Sequence, residues 1–278
     1  MTDERKATLN KELQHYTIET FDLVSDYLDR TVKLDVYLPK NIQNPKEISL
    51  LIINDGQDME VLGLAPMLNG LLDEDAITPV LAVGIHCNEY RKLEYGTADV
   101  LDYQMFGSRA RYHRKFIIQE LIPYISTTYK LLAFKEIGFA GFSLGGLSAM
   151  DIAWSHPEIF KKVGVFSGSF WWRSKALHQG YNEETDRIMH SLIREGEYHE
   201  GQKFFFEAGA LDESMDRNNN GIIDSIDDTM GIIEELEKKG YDHNSIYYLE
   251  LADGHHDVPT WGRAMPTFLK WAWGKSSQ

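Results

Sequence analysis

The segment Gly141-Phe-Ser-Leu-Gly145 has the pattern G-x-S-x-G, and Ser143 is its central residue. It stands between an apolar run and a stretch rich in small residues, which is the strand-to-helix setting that the pattern requires. A serine hydroxyl is a weak nucleophile at neutral pH, so it needs a tight turn that exposes it and a base that removes its proton. We predict that Ser143 attacks an acyl carbonyl and that the amide of Leu144 stabilises the developing oxyanion.

An acidic residue that could orient a catalytic histidine follows a late strand-like run, as the chain order serine, acid, histidine predicts. The run is 203–207, and Asp212 stands in the segment after it. Glu213 is the second choice for this role, and Glu207, inside the run, is less favoured. We predict that Asp212 holds the imidazole in the tautomer that catalysis needs.

Two adjacent histidines, His255 and His256, follow the last strand-like run, 246–251. Either can take the proton from the serine, and the spacing alone leaves both as candidates. Other histidines, among them His113 and His190, have no comparable placement and are predicted to be solvated surface residues.

Strand-like and helix-like patterns alternate along the chain and predict an α/β-hydrolase fold. The alternation of 16–24 and 31–38 predicts an N-terminal antiparallel hairpin. Apolar runs predict a mostly parallel central sheet with helices on both faces. The main runs are 49–54, 79–85, 137–140 and 163–166, and the predicted helices are 112–129, 144–154, 228–239 and 261–273. Because the chain has no repeat and no long linker, we predict one catalytic domain over residues 1–278.

An acidic loop over 216–227 has the spacing of an EF-hand calcium loop. The predicted ligands are Asp216, Asn218, Asn220, the carbonyl of Ile222, Asp224 and Asp227. The last position is Asp instead of Glu and no long helix precedes the loop, so a metal-free turn capped by Asp residues fits the sequence equally well. If calcium binds, we expect it to stiffen the segment that carries Asp212 and to take no part in the chemistry.

The composition indicates which binding partners and which cellular compartment are to be expected. The 43 acidic and 28 basic residues give a formal charge of −15, which disfavours nucleic acid and anionic membranes as partners. Apolar runs stay far below the ~20 residues of a membrane span, and the opening Met-Thr-Asp-Glu-Arg-Lys lacks an apolar secretory core. With Cys87 as the single cysteine, we predict a cytoplasmic protein without internal disulfides.

The chain resembles a family of esterases that includes enterochelin esterase and the feruloyl and acetyl xylan esterases. The resemblance extends over nearly the whole chain and rests on several motifs besides the Gly-Phe-Ser-Leu-Gly-Gly elbow. These motifs are Asn54-Asp-Gly-Gln57, Arg91-Lys-Leu-Glu-Tyr95, Trp154-Ser-His-Pro-Glu-Ile-Phe160, Ser167-Gly-Ser-Phe-Trp-Trp172 and Gly254-His-His256 followed by Trp261. The family's histidine stands two residues after a glycine and five before a tryptophan, so the resemblance selects His256.

The resemblance also implies roles around the nucleophile. Gly56 and Gln57 would complete the oxyanion hole beside Leu144. The residues Arg91, Glu94 and Tyr95 would either shape the substrate pocket or brace the loop beneath it through a buried ion pair. Aromatic side chains that could bind substrate or pack in the core are Trp171, Trp172, Phe170 and Phe106.

Together these features predict a serine hydrolase that cleaves carboxylic esters of small molecules through an acyl-enzyme intermediate and needs no catalytic cofactor. A siderophore-type ester and a carbohydrate-linked acyl ester both fit as substrates. Two alternatives remain, namely an acyltransferase on the same triad and a calcium-dependent binding protein on an inactive hydrolase scaffold. The complete set of serine, acid and histidine favours the hydrolase.

Overall fold

The computed structural model describes residues 13–42, 44–131 and 133–275. Its strands are β1 (Tyr16–Ser25), β2 (Arg30–Pro39), β3 (Ser49–Asn54), β4 (Val80–Ile85), β5 (Ile137–Phe142), β6 (Phe160–Phe166), β7 (Lys203–Leu211) and β8 (Ile246–His255). Within the described residues these strands form one sheet in the order β1-β2-β4-β3-β5-β6-β7-β8. Strand β2 is antiparallel to β1 and to β4, and the other neighbours are parallel. The predicted hairpin and mostly parallel sheet are therefore confirmed.

Helices cover both faces of this sheet. They are α1 (Met59–Leu62), α2 (Leu64–Asp73), α3 (Arg91–Glu94), α4 (Ala110–Lys115), α5 (Ile122–Thr128), α6 (Leu144–Ser155), α7 (Glu183–Asp186), α8 (Ile188–Glu195), α9 (Asp224–Lys239) and α10 (Val258–Trp273). Short 3₁₀ turns occupy Pro45–Glu47, Gly56–Asp58 and Leu177–Gln179. Apolar residues of α6, α8 and α9 form a core on one face, and those of α1, α2 and α10 form a core on the other. Because both faces are covered, every residue of β3 and β4 is buried.

Several element boundaries differ from the sequence prediction; for example, the helix predicted from residue 228 begins at Asp224, and the strand predicted to end at residue 207 continues to Leu211. The helix predicted over 112–129 is interrupted by a π-helical turn, Phe116–Leu121, just before Pro123, which has no amide to donate to the helix. The last helix begins at Val258, because the side chain of Asp257 caps it by accepting from the amide of Thr260 at 2.9 Å. Strand β8 continues to His255, beyond the predicted end of the strand, and pairs there with Leu211 of β7.

In the described part of the chain, no helix is long and apolar enough to cross a membrane. The opening residues 1–6, on which the expectation about a secretory leader rests, lie outside the described residues.

Candidate active site

The backbone at Ser143 forms a strained turn between β5 and α6. Its φ of 53° and ψ of −121° lie in a region that non-glycine residues rarely adopt. The amide of Ser143 donates to the carbonyl of Phe166 at 2.9 Å, which holds the turn against β6. Leu144 is the first residue of α6, so its amide has no acceptor within the helix. The turn thus offers a hydroxyl and a backbone donor side by side.

The glycines around Ser143 are needed for close packing of the turn. A Cβ on Gly141 would overlap the backbone of Gly145. A Cβ on Gly145 would lie 2.6 Å from Oδ2 of Asp55, in the loop after β3. The elbow and this loop are therefore in contact, as an oxyanion hole built from both would require.

A second serine, which the sequence reasoning missed, lies beside the candidate nucleophile. Oγ of Ser169 is 3.3 Å from Oγ of Ser143, and the amide of Ser169 donates to the carbonyl of Ser143 at 3.1 Å. Within the described residues, Ser143 makes this hydroxyl contact and no hydrogen bond to His256. The segment 167–172 was recognised as a motif, but spacing in the chain gives no sign that Ser169 reaches the elbow.

The candidate acid, Asp212, directly follows β7, and the candidate base, His256, directly follows the neighbouring strand β8. Nδ1 of His256 is 3.8 Å from Oδ2 of Asp212, so the two side chains face each other at a distance longer than a hydrogen bond. The side chain of Asp212 is fully buried, and that of His256 is 38% exposed. The ring of His256 meets Trp261 edge-on at 5.3 Å. Glu213 and His255, the alternative acid and base, are exposed.

The loop after β3 contains the two expected oxyanion donors, Gly56 and Gln57. Asp55 precedes them in a left-handed conformation with φ of 61°. Arg91 donates to both carboxylate oxygens of Asp55 at 2.7 Å, and the hydroxyl of Tyr95 accepts from the amide of Asp55 at 3.1 Å. Arg91 and Tyr95 thus brace this loop.

The other residues expected in the pocket lie in different surroundings. Glu94 is buried and pairs with Arg30 at 2.7 Å, near the hairpin. Trp172 is buried in the core and its indole nitrogen donates to Thr97 at 3.1 Å. Trp171, in contrast, is 39% exposed and can meet a ligand.

The prediction that His113 and His190 are solvated is wrong. His113 is buried under the loop after β3, where Nε2 lies 3.1 Å from Oδ1 of Asn54, and Nδ2 of Asn54 donates to the carbonyl of Gly145. Burial lowers the pKa of His113 to about 3, so the ring is neutral. His190 is buried against α9 and contacts the carbonyl of Asp228 at 2.9 Å. Both histidines are on short helices, and each is among the residues of its helix that tertiary packing buries.

We expect Arg91→Lys to lower kcat/KM for a simple ester by about tenfold, because an ammonium group cannot hold both oxygens of Asp55 and the oxyanion loop then shifts. Steady-state hydrolysis of p-nitrophenyl acetate measures the change. The matched control is Arg111→Lys at an exposed surface pair with Asp99, where unchanged kinetics are expected. Equal kinetics for Arg91→Lys and the wild type would contradict the bracing role.

The acidic loop draws several of its predicted calcium ligands together. Asp216 accepts from the amides of Asn220 and Gly221 at 3.1 and 2.9 Å. The side-chain amides of Asn218 and Asn220 donate to the two oxygens of Asp227. Ile222, whose carbonyl is a predicted ligand, is exposed.

One predicted ligand points elsewhere. Asp224 accepts from the backbone amide of Arg217 at 2.8 Å and pairs with its guanidinium. No group of three or more His, Cys, Asp or Glu side chains suited to a metal occurs among the described residues. The loop can offer only the carboxylates of Asp216 and Asp227, with asparagine and backbone oxygens, so calcium binding stays a prediction.

If the loop binds calcium, saturating calcium is expected to raise the melting temperature by about 5 °C relative to a chelator, since a ligand at 100 times its Kd adds about 2.7 kcal/mol of stability. Thermal melting in calcium, magnesium and EDTA tests this. Asp227→Asn should abolish the shift, and Asp242→Asn, an exposed acid outside the loop, should retain it. Identical melting curves in calcium and EDTA would argue for a metal-free turn.

Comparison with known proteins identifies the family to which the chain belongs. Residues 25–272 match the family described as Putative esterase. The uncharacterized protein YjcH of Bacillus subtilis is 24% identical over 259 residues, which cover 91% of this chain and 96% of YjcH. The iron(III) salmochelin esterase of Escherichia coli is 29% identical over 163 residues, covering 56% of this chain and 36% of that protein.

A solved structure has the same fold. The enterobactin esterase FES of Shigella flexneri, determined in the presence of enterobactin, superposes with a TM-score of 0.70 at 20% identity. The similar region covers 91% of this chain and 58% of that one. The fold is thus that of an α/β-hydrolase, and the chain belongs to the Putative esterase family. Hydrolysis of carboxylic esters is the class of activity that this family and its named relatives define.

Proposed function

We propose that this protein is a serine esterase in which Ser143 is the nucleophile, His256 the general base and Asp212 the residue that orients His256. The observation that carries the proposal is the strained elbow, which places Ser143 at the carboxyl end of the parallel strands, where β7 and β8 bring Asp212 and His256. Attack forms a tetrahedral intermediate, and the amides of Leu144 and the Gly56–Gln57 segment stabilise its oxyanion. The alcohol leaves with a proton from His256, and water then releases the acid from Ser143.

The substrate class we propose is an ester of an aromatic acid. Trp171 is exposed two residues after Ser169, which contacts Ser143. The guanidinium of Arg173 lies 5.3 to 6.0 Å from the rings of Tyr103, Trp171 and Tyr181. Such a cluster suits a flat acyl group with phenolate or other negative charge. Two similar structures support this choice, because one is a ferulic acid esterase and the other is the enterobactin esterase FES in the presence of 2,3-di-hydroxy-N-benzoyl-serine.

Comparing kcat/KM for an aromatic acyl ester with that for an acetyl ester of the same alcohol tests the substrate class. Trp171→Ala should reduce the aromatic ester's kcat/KM about tenfold and leave the acetyl ester nearly unchanged. Tyr198→Ala is the control, since this exposed ring precedes the amino end of β7, away from Ser143. Product analysis with added alcohol acceptors detects acyl transfer, and dominance of transfer over release of free acid would replace the hydrolase by a transferase.

A further inference from the structure

A second buried carboxyl lies beside the acid of the proposed triad. Glu207 is on β7 and has an exposed fraction of 0%. Alternate side chains of a strand share a face, so Glu207 and Gly209 point to the same side of the sheet. A Cβ built on Gly209 would lie 2.5 Å from Oδ1 of Asp212. The carboxylate of Asp212 therefore folds back over the face of β7 that carries Glu207.

The oxygens of both carboxyls lack partners. Among the described residues, Oε1 and Oε2 of Glu207 and Oδ1 and Oδ2 of Asp212 are all buried without a hydrogen bond. Two buried carboxylates side by side repel each other and leave their acceptors unsatisfied. If one carboxyl is neutral, its O–H becomes a donor and the oxygens of the other become acceptors.

Glu207 is the carboxyl whose surroundings favour the neutral form. Burial, and next the charge of Asp212, raise the pKa of Glu207 to about 8, although Ser167, which lies near this carboxyl without the geometry of a hydrogen bond, and the charge of Arg263 on α10 act in the opposite direction. Tyr248 on β8 is another titratable group near both carboxyls, and its pKa is raised by burial, then by Glu250, and further by Glu207 and Asp212. Arg263 is engaged by Asp253 at 2.8 Å and does not pair with Glu207.

Glu207 is also linked to the surroundings of the histidine. Its backbone carbonyl accepts from the amide of Ser167 at 2.8 Å. The hydroxyl of Ser167 accepts from the indole nitrogen of Trp261 at 2.9 Å, and the ring of Trp261 meets the ring of His256. Strand β7 at Glu207 is thus linked to His256 through Ser167 and Trp261.

We propose that Glu207 is a positioning residue which, as a neutral acid, donates a hydrogen bond to Asp212 and keeps a single negative charge beneath His256. This inference rests on the proposed function, because Asp212 orients His256 only in the triad. The hydrogen bond leaves Asp212 free to accept from Nδ1 of His256 with its other oxygen. Ionisation of Glu207 removes the donor and places a second negative charge against Asp212, so the acid loses its orientation.

The test is the pH dependence of kcat/KM for p-nitrophenyl acetate from about pH 6 to about pH 10. The wild type should lose activity at alkaline pH with a midpoint near 8, the pKa of Glu207. Glu207→Gln keeps a neutral donor, so it should retain activity at neutral pH and lack the alkaline fall. Glu207→Leu removes the donor, so it should be about tenfold slower than the wild type at neutral pH and should also lack the alkaline fall. An unchanged alkaline midpoint in Glu207→Gln would overturn the inference.

A matched control separates Glu207 from another buried acid. Asp151 on α6 is buried, its pKa is raised to about 7 by burial, and it accepts from the amide of Ala98 at 3.0 Å. The Asp151→Asn variant should still lose activity at alkaline pH. If this variant lacks the alkaline loss of activity, the loss must be assigned to Asp151. Ser143→Ala is run beside these variants. If it retains turnover, the proposed function fails, whereas an intact alkaline fall in Glu207→Gln contradicts only the role of Glu207.

A measurement on the wild type does not depend on how the variants fold. With glutamate labelled by carbon-13, the infrared band of a protonated Glu carboxyl should be present at neutral pH and disappear at alkaline pH. The melting temperature gives a second readout. Because the pKa of Glu207 is higher in the folded protein than in the unfolded chain, the stability of the fold decreases as pH rises from about 4.5 to about 8. The Glu207→Gln variant should show a smaller decrease. Absence of the band at neutral pH would overturn the inference.

Discussion

Replacing Ser143 by Ala is expected to lower kcat for ester hydrolysis by about 10⁶-fold, because the variant loses the nucleophile on which the acyl-enzyme is built. Initial rates with p-nitrophenyl acetate, corrected for spontaneous hydrolysis, measure the loss. Thermal melting should show that the fold is kept. A variant that retained a tenth of the wild-type rate would exclude Ser143 as the nucleophile.

The matched control for this substitution is Ser148→Ala. Ser148 is buried on the same helix, α6, and its hydroxyl has no partner among the described residues. Loss of that hydroxyl should leave kcat near the wild-type value. Ser169→Ala gives a further comparison, because it removes the hydroxyl that contacts Ser143 without removing the nucleophile.

Asp212→Asn is expected to lower kcat by about 10⁴-fold, because an amide can donate to Nδ1 and so hold the imidazole in the wrong tautomer. The change conserves the size of a fully buried side chain, so the fold should be kept. Steady-state kinetics at neutral pH measure the effect. The control is Glu213→Gln, the exposed neighbouring carboxyl, for which little change is expected. A larger loss in Glu213→Gln than in Asp212→Asn would reverse the assignment of the acid.

Local sequence patterns were sufficient to predict the elbow and the sheet. The turn at Ser143 depends on residues within two positions of it, and the buried strands depend on short apolar runs, so neither needs knowledge of distant parts of the chain. The hairpin of β1 and β2 was predictable for the same reason. Its register follows from alternation and from a turn of four residues, Asp26–Asp29.

Local sequence patterns could not predict which side chains from distant elements contact each other. The sequence motif at Arg91–Tyr95 predicts the same role for Arg91, Glu94 and Tyr95. In the structure, Arg91 and Tyr95 contact Asp55, whereas Glu94 pairs with Arg30 on the hairpin. Periodicity does not distinguish these directions, since they depend on how helix α3 sits against two different loops. The same reason explains why Trp171 and Trp172, adjacent in sequence, lie at the surface and in the core.

The burial of titratable side chains was a second feature that could not be predicted from the sequence. The sequence prediction favours Asp212 and Glu213 over Glu207, and it assigns His113 to the surface because this histidine lacks a placement comparable to that of His255 and His256. Burial of both residues depends on tertiary packing, which also sets their charge state. The consequence for Glu207, a neutral acid next to the triad, follows only from the assembled sheet.

The most direct test of the account is labelling of the folded protein with a fluorophosphonate probe, followed by peptide mapping of the adduct. This probe forms a covalent bond only with a serine that a base has activated. The account predicts one adduct on Ser143, absent from Ser143→Ala and strongly reduced in His256→Ala. An adduct on Ser169 or another serine, or no adduct on a folded protein, would contradict it.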